Sequence, residues 1–274
     1  MRLALALSVC AFALALAACG GSSEKTTGAP AVTAAALVHP PVGCTHHLVF
    51  ADHGSEAGRM VALSFDDGPS PYTRPLYETL LRYGVPATFF MIGERVSALV
   101  ERGEGALLRE MIAHGMEIGN HSYNHPHDLP DEGEGASLQL ELANREIERA
   151  SGFTPCLFRP PYGNQTPELV QRAKVLGLVT TRWNVSAEDW QHPGVKTIEE
   201  RVLSAVKPGA IVTLHDNIET EGQTVQALPA IIEGLKARGY RLVTITQILG
   251  EEFLASKPAR RPPSLSAPIG SSGE

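Results

Sequence analysis

Short apolar runs and amphipathic runs alternate about seven times over about 190 residues, a rhythm that calls for a parallel sheet with crossover helices. The apolar runs are Met60–Leu63, Ala87–Ile92, Met116–Gly119, Leu157–Phe158, Leu178–Trp183, Gly209–Leu214 and Tyr240–Ile245. Between them, apolar positions spaced for one helix face mark helices at Tyr72–Tyr83, Gly105–His114, Ala136–Ala150, Pro167–Leu176, Thr197–Val206 and Thr224–Arg238. Gly84 and Gly115 stand where two of these should stop, and Gly103–Gly105 reads as a loop. The pattern alone leaves an open doubly wound sheet and a closed barrel both available. It contains no glycine fingerprint for a dinucleotide and no phosphate-binding loop.

The reactive side chains gather where strands end: Asp66 and Asp67, His121, Arg159, Asp189 and His215. In a barrel all parallel strands open on one face, so these groups would share one mouth. Neighbouring side chains on an extended backbone point apart, so Asp66 and Asp67 can take different tasks, although Asp-Asp-Gly-Pro is also good turn chemistry. His121 and His125 stand four apart, and Pro126 disfavours a helix there. With Asp67 they make the carboxylate-and-two-imidazole set of a catalytic zinc, which keeps an open position. Other first-row divalent ions accept the same set. His215 ends a very apolar strand and needs a partner if buried. Histidine is the side chain best suited to give a proton at neutral pH; the alternative is a structural histidine bonded to backbone.

Five stretches, in order, carry a resemblance: Ser64-Phe65-Asp66-Asp67-Gly68-Pro69, His121-Ser122-Tyr123-Asn124-His125-Pro126, Arg159-Pro160-Pro161-Tyr162-Gly163, Asp189-Trp190 and Leu214-His215-Asp216. From Met60 to Leu249 the chain resembles the polysaccharide deacetylase family, the carbohydrate esterases with NodB homology (carbohydrate esterase family 4). The resemblance implies an α/β fold, a distorted (β/α) barrel of roughly seven or eight units with parallel strands and its site at the C-terminal strand ends. It implies one divalent metal, usually Zn2+, with Co2+, Ni2+ or Mn2+ compatible, held by Asp67, His121 and His125. It makes Asp66 the general base and His215 the general acid, with Arg159 orienting the base and Asp189 tuning the histidine. Trp190 and Leu214 would line an acetyl pocket, and the backbone N–H of Tyr162 would help hold the oxyanion. The implied reaction is hydrolytic removal of N-acetyl groups from an amino-sugar polysaccharide, peptidoglycan or a chitin-like glycan, releasing acetate.

Ser64 stands where the family commonly has Thr, and Ser186 where an acid is common. The segment Ser97–Gly105 looks longer than the family pattern needs. Competing readings are an acetyl-xylan type O-acetyl esterase on the same machinery, a non-catalytic glycan-binding lipoprotein, and hydrolysis of a non-sugar C–N bond.

The chain starts with Met1-Arg2 and an apolar run from Leu3 to Ala18, too short to span a membrane comfortably. Leu16-Ala17-Ala18-Cys19 resembles a lipobox, so Cys19 is the expected lipid-bearing residue on a bacterial membrane; the small residues also fit an ordinary secretory signal. The expected division is 1–19 lipoprotein signal, 20–58 flexible tether and lead-in, 59–254 deacetylase domain and 255–274 disordered tail. Cys44 and Cys156 remain, either as a disulfide of an extracytoplasmic envelope protein or as two buried thiols. A net charge of -7 argues against nucleic acid as a partner. The expected partners are a polysaccharide or oligosaccharide and, through Cys19, a membrane; a monomer is expected.

Overall fold

The computed structural model describes residues 48–56, 58–217, 220 and 222–250. Among these residues nine strands pair in parallel in one sheet: β1 Phe50–Ala51, β2 Met60–Gly68, β3 Thr88–Met91, β4 Glu117–Asn120, β5 Leu157–Phe158, β6 Val179–Thr181, β7 Val185–Ser186, β8 Ala210–His215 and β9 Arg241–Val243. The strand order is β1-β6-β5-β4-β3-β2-β8-β7. β9 lies against the first residues of β2, Met60–Ala62, while β3 takes over from Ser64 onward. β6 and β7 stand near opposite ends of this order, yet only Arg182–Asn184 separate them in sequence. The chain itself therefore spans the gap that strand pairing leaves, which gives a distorted, partly open barrel.

Among the described residues seven α-helices cover the outside, α1 Thr73–Tyr83, α2 Gly93–Glu101, α3 Ala106–Ala113, α4 Glu134–Ser151, α5 Pro167–Val175, α6 Val195–Ala205 and α7 Gln223–Ala237, and a short eighth, α8 Ile245–Leu249, packs on the inner face. Alternation along β2 shows how the layers are built. Val61, Leu63 and Phe65 share an outer core with Leu76, Leu80, Leu228, Ile231 and Ile232 of α1 and α7. Ala62 faces the other way, into a smaller cluster with Phe90, Ile211, Val243, Ile245 and Ile248. Ser64 and Asp66 continue that inner row and are buried, but they are polar. The inner face is thus apolar at the strands' N-terminal ends, plugged by α8, and polar at their C-terminal ends. That polarity gradient puts the chemistry at one mouth.

Four local expectations need correction. The last strand stops at Val243, because Thr244 caps α8 through a reciprocal capping box with Gln247. The run Leu178–Trp183 forms a strand only to Thr181, since the next residues cross the gap. A helix not marked in the sequence, α2, runs from Gly93 to Glu101 and buries Val96 and Leu99. The sheet also starts before Arg59, for Phe50–Ala51 pairs with β6; two residues are too few to show a period. Cys156 is disulfide-bonded; Cys44 lies outside the described residues, as do Cys19 and the 255–274 tail. No helix among the described residues is long and apolar enough to cross a membrane.

Candidate active site

Asp67 Oδ1 lies 3.2 Å from Nε2 of His121 and 3.2 Å from Nε2 of His125. The ligand atoms of the three residues fall within 4.8 Å of one another, and among the described residues no other group of three is placed to hold a metal. Asp67 comes from the end of β2 and the two histidines from the loop after β4. A register shift between Asp66 and Gly68, with Asp67 at φ 74, turns its carboxylate toward the histidines instead of outward beside Phe65. Ser122 (φ 64) and His125 (φ 58) are left-handed too. Non-glycine residues held this way cost on the order of 1 kcal/mol or more each, so the surroundings must impose them.

The donor set suits a cation. Asp67 Oδ1 is buried and has no hydrogen-bond partner, while Oδ2 accepts from Asn217 Nδ2 at 2.8 Å. His121 Nδ1 donates to the Arg159 carbonyl at 2.7 Å, which leaves its Nε2 lone pair facing Asp67. Burial would raise the Asp67 carboxyl, but with a proton on the imidazole nitrogens in place of a cation, the contacts with His121 and His125 and the charges of His121 and His215 outweigh it. They hold it well below the usual carboxylate range, as an anion ready to bind a positive ion. A divalent ion would find here two nitrogens and an unshared carboxylate oxygen.

Asp66 sits beside this group with both oxygens engaged. Oδ1 accepts from Arg159 Nη1 at 2.7 Å and Oδ2 from the Thr213 hydroxyl at 3.0 Å. Arg159 is fully buried; Nη1 also reaches Ser64 Oγ at 2.8 Å, and Nη2 the Arg182 carbonyl at 3.1 Å. Its guanidinium carbon stands 4.1 Å from the Phe90 ring centre. Ser64 spends its own hydroxyl proton on the Val212 carbonyl at 2.7 Å. The serine thus supplies the hydroxyl that links β2, β8 and Arg159.

His215 is the direct strand partner of Asp66 across β2 and β8. Its Nδ1 donates to Asp189 Oδ1 at 2.7 Å and its backbone N–H to Asp189 Oδ2 at 2.8 Å, while the Thr224 hydroxyl also donates to Oδ2 at 2.6 Å. Burial disfavours the imidazolium, but the Asp189 charge and hydrogen bond, with the charges of Asp67 and Asp66, push His215 up to about 9. Nδ1 is committed to Asp189, so the exchangeable proton at Nε2 is the one His215 can give away.

Residues 53–181 match the family model described as polysaccharide deacetylase. The chain is 36% identical over 211 residues to a chitooligosaccharide deacetylase from a Bradyrhizobium species, covering 72% of this chain and 94% of that protein. The chain belongs to the polysaccharide deacetylase family. Among solved structures, a peptidoglycan N-acetylglucosamine deacetylase bound to a naphthyl N-hydroxybenzamide matches with a TM-score of 0.70 at 28% identity, over 77% of this chain and 96% of that one. A CE4 family pseudoenzyme from Bacillus anthracis matches with a TM-score of 0.67 at 30% identity, over 74% and 69%. Active deacetylases and a pseudoenzyme thus share this fold.

Within this polysaccharide deacetylase, six of the residues read from the sequence meet at that mouth: Asp66, Asp67, His121, His125, Arg159 and His215, with Asp189 behind the last. Tyr162 is 58% exposed, left-handed at φ 58, with its ring centre 4.7 Å from that of His125 and 4.9 Å from that of His127. Trp190 is 50% exposed in the short turn that carries Asp189. Leu214 is a correction. It is fully buried in the outer core with Phe65, its pairing partner on β2, so it sits on the face of β8 opposite Thr213 and His215. It does not line the mouth; the same period of two that points His215 inward points Leu214 outward. Three polar residues were not foreseen, Asn217 and Thr213 on the two aspartates and Thr224 on Asp189, and Asp216, quoted with His215, had been given no role. Burial pushes Asp216 up to about 7 against a hydrogen bond from Thr73, and Asp67 and Asp66 add to the rise while Arg95 opposes it. Only Asn217 and Asp216, beside His215, carried a positional hint.

Asp189→Asn should move the high-pH limb of activity down by about 1–3 pH units. The sign follows from the raised value: His215 is protonated, and its pairing with Asp189 stabilises the fold fully, below its unfolded value near ~6.5. Both are lost as pH rises through about 9. A cation at Asp67 offsets that carboxylate's share, so Asp189 carries the effect. A pH profile of kcat that stays in place in the variant would contradict this coupling.

Proposed function

We propose that this chain removes N-acetyl groups from an amino-sugar polysaccharide, peptidoglycan or a chitin-like glycan, in a metal-dependent hydrolysis that releases acetate. The observation that carries the reading is a buried, unpartnered Asp67 oxygen facing two imidazole nitrogens, with Asp66 and His215 on directly paired strand positions beside it. A divalent ion held by Asp67, His121 and His125, Zn2+ in the first instance, would supply Lewis-acid polarisation of the acyl carbonyl and a more acidic water.

The chain's own residues do the rest. Asp66, fixed by Arg159 and Thr213, accepts a proton from the attacking water. Tyr162 sets its ring beside that of His125 on the rim, and its backbone N–H is the donor proposed for the oxygen that becomes negative. His215 Nε2 delivers its proton to the leaving nitrogen, so that an amine departs rather than an amide anion. Each such transfer is worth roughly 10²–10⁴-fold. A non-catalytic glycan binder has no use for a base and an acid on adjacent strands, so the complete set supports turnover here. The exposed rings of Tyr162 and Trp190 give a sugar amphipathic surface to rest on.

Acetate release from a chitooligosaccharide, peptidoglycan and acetyl-xylan tests the reading. Release from one of the first two is expected, lost with chelator and regained with Zn2+; release from acetyl-xylan alone would reject an N-deacetylase. The signal segment supports work outside the cytoplasm, with Cys19 carrying lipid. In cells, Cys19→Ser should move the protein from the membrane to the soluble fraction, and an unchanged membrane fraction would reject the anchor.

A further inference from the structure

Asp67 and the His121–His125 loop belong to β2 and β4, which are not neighbours; β3 runs between them. Gly68 and Asn120 both pair with Met91, so the sheet fixes the ends of β2 and β4, and the spacing of the site residues beyond those ends falls to the chain that follows. The chain leaving β3 does so in four consecutive residues. Ile92 N–H donates to the Gly68 carbonyl at 2.7 Å, and the Arg95 guanidinium Nη1 to the Asp67 carbonyl at 2.5 Å. Gly93 N–H donates to the Ser122 carbonyl at 3.0 Å, and Glu94 N–H to the Tyr123 carbonyl at 2.8 Å. Two donors go to each half. The backbone donors include amides at the start of α2 that have no partner inside the helix, so they are free to be used this way. Two of the four acceptors, Asp67 and Ser122, are left-handed residues whose conformation needs outside support.

The turn that supplies these donors is itself fixed. A Cβ on Gly93 would stand 2.7 Å from Ala143 Cα and 2.9 Å from Tyr123 Cδ2, so α4 and the histidine loop close on it from both sides. From α4, Gln139 Oε1 accepts from the Tyr123 and Asn124 amides at 3.0 and 3.1 Å, holding the far side of the same loop. Arg95 is the one side chain among the four donors, and a charged donor on a carbonyl makes the strongest bond of the set.

We propose that the first turn of α2 is the brace that sets the Asp67-to-histidine spacing, and that Arg95 is a positioning residue for the metal site. This rests on the site holding a cation, as proposed above. Arg95 touches none of the three ligand side chains; it acts through the Asp67 backbone.

Zinc affinity, measured by competition with a chromophoric chelator on the purified protein, tests this without any substrate. Arg95→Ala should weaken the zinc Kd by about 10–100-fold. It should lower kcat in step at near-constant KM, while Arg95→Lys, which keeps a cationic donor, recovers part of the affinity. Glu101→Gln, on the exposed end of α2, should match wild type. A merely structural role would lower the melting temperature of the metal-free protein and leave the zinc Kd within about twofold, which overturns the proposal. If Arg95→Ala does not fold, Arg95→Met carries the same comparison. A wild-type protein that binds no zinc removes the metal reading itself; tight wild-type binding with an unchanged variant removes only the brace.

Discussion

Replacing His215 by alanine should cut acetate release from an N-acetyl glycan by about 10²–10⁴-fold while slowing an acetyl ester far less. The difference comes from the leaving group. An amine nitrogen must be protonated to depart, whereas an alkoxide from an activated ester needs little help. The geometry is built for a donor: Asp189 takes the Nδ1 proton at 2.7 Å and the backbone N–H at 2.8 Å, and so fixes the ring with Nε2 outward. The same carboxylate raises His215 to about 9, so the imidazolium is the neutral-pH form. Turnover numbers on a chitooligosaccharide and on an activated acetyl ester check the point. An equal fall on both would remove His215 from the role of acid to the leaving nitrogen.

Arg159→Leu should be the most damaging single substitution for stability, by about 3–5 kcal/mol, because it strands the Asp66 charge in a buried site. For a domain of this size that lowers the melting temperature by roughly 6–20 °C. It also removes the donors to Ser64 and the Arg182 carbonyl and the cation lying over Phe90. Activity should vanish with it, since nothing else aims Asp66 Oδ1. The double variant Asp66→Asn with Arg159→Leu separates the effects. It should regain part of the stability, as no buried charge is left unpaired, and stay inactive. A melting temperature for Arg159→Leu within about 2 °C of wild type would show that the pair is not the linchpin of the mouth.

Much of this arrangement was legible because it follows from short-range rules. Alternating apolar and amphipathic runs place strands and helices, and a polar residue just past an apolar run lands at a barrel mouth. That was enough for Asp66, His121, Arg159 and His215. What stayed hidden depends on backbone detail or on distant partners. A chain read as a plain strand sends Asp67 outward with Phe65; the register shift and its left-handed φ bring it back. Thr213, Thr224 and Arg95 act across contacts that no spacing announces, and Asn217 had only its place beside His215 to mark it. α2 was missed because it opens on glycine and buries little beyond Val96 and Leu99. Two misreadings were avoidable. The Thr244-Ile245-Thr246-Gln247 box marks a helix start, and strict alternation already excludes Leu214 from the face that carries His215.

The most direct measurement is a zinc titration of metal-stripped protein, followed by acetate release from an N-acetylated oligosaccharide. Activity should climb from background and break at about one equivalent of Zn2+, with no break in a His121→Ala, His125→Ala double variant. Full activity in the stripped protein, or the same break without those two histidines, would contradict a cation held between Asp67 and the imidazoles.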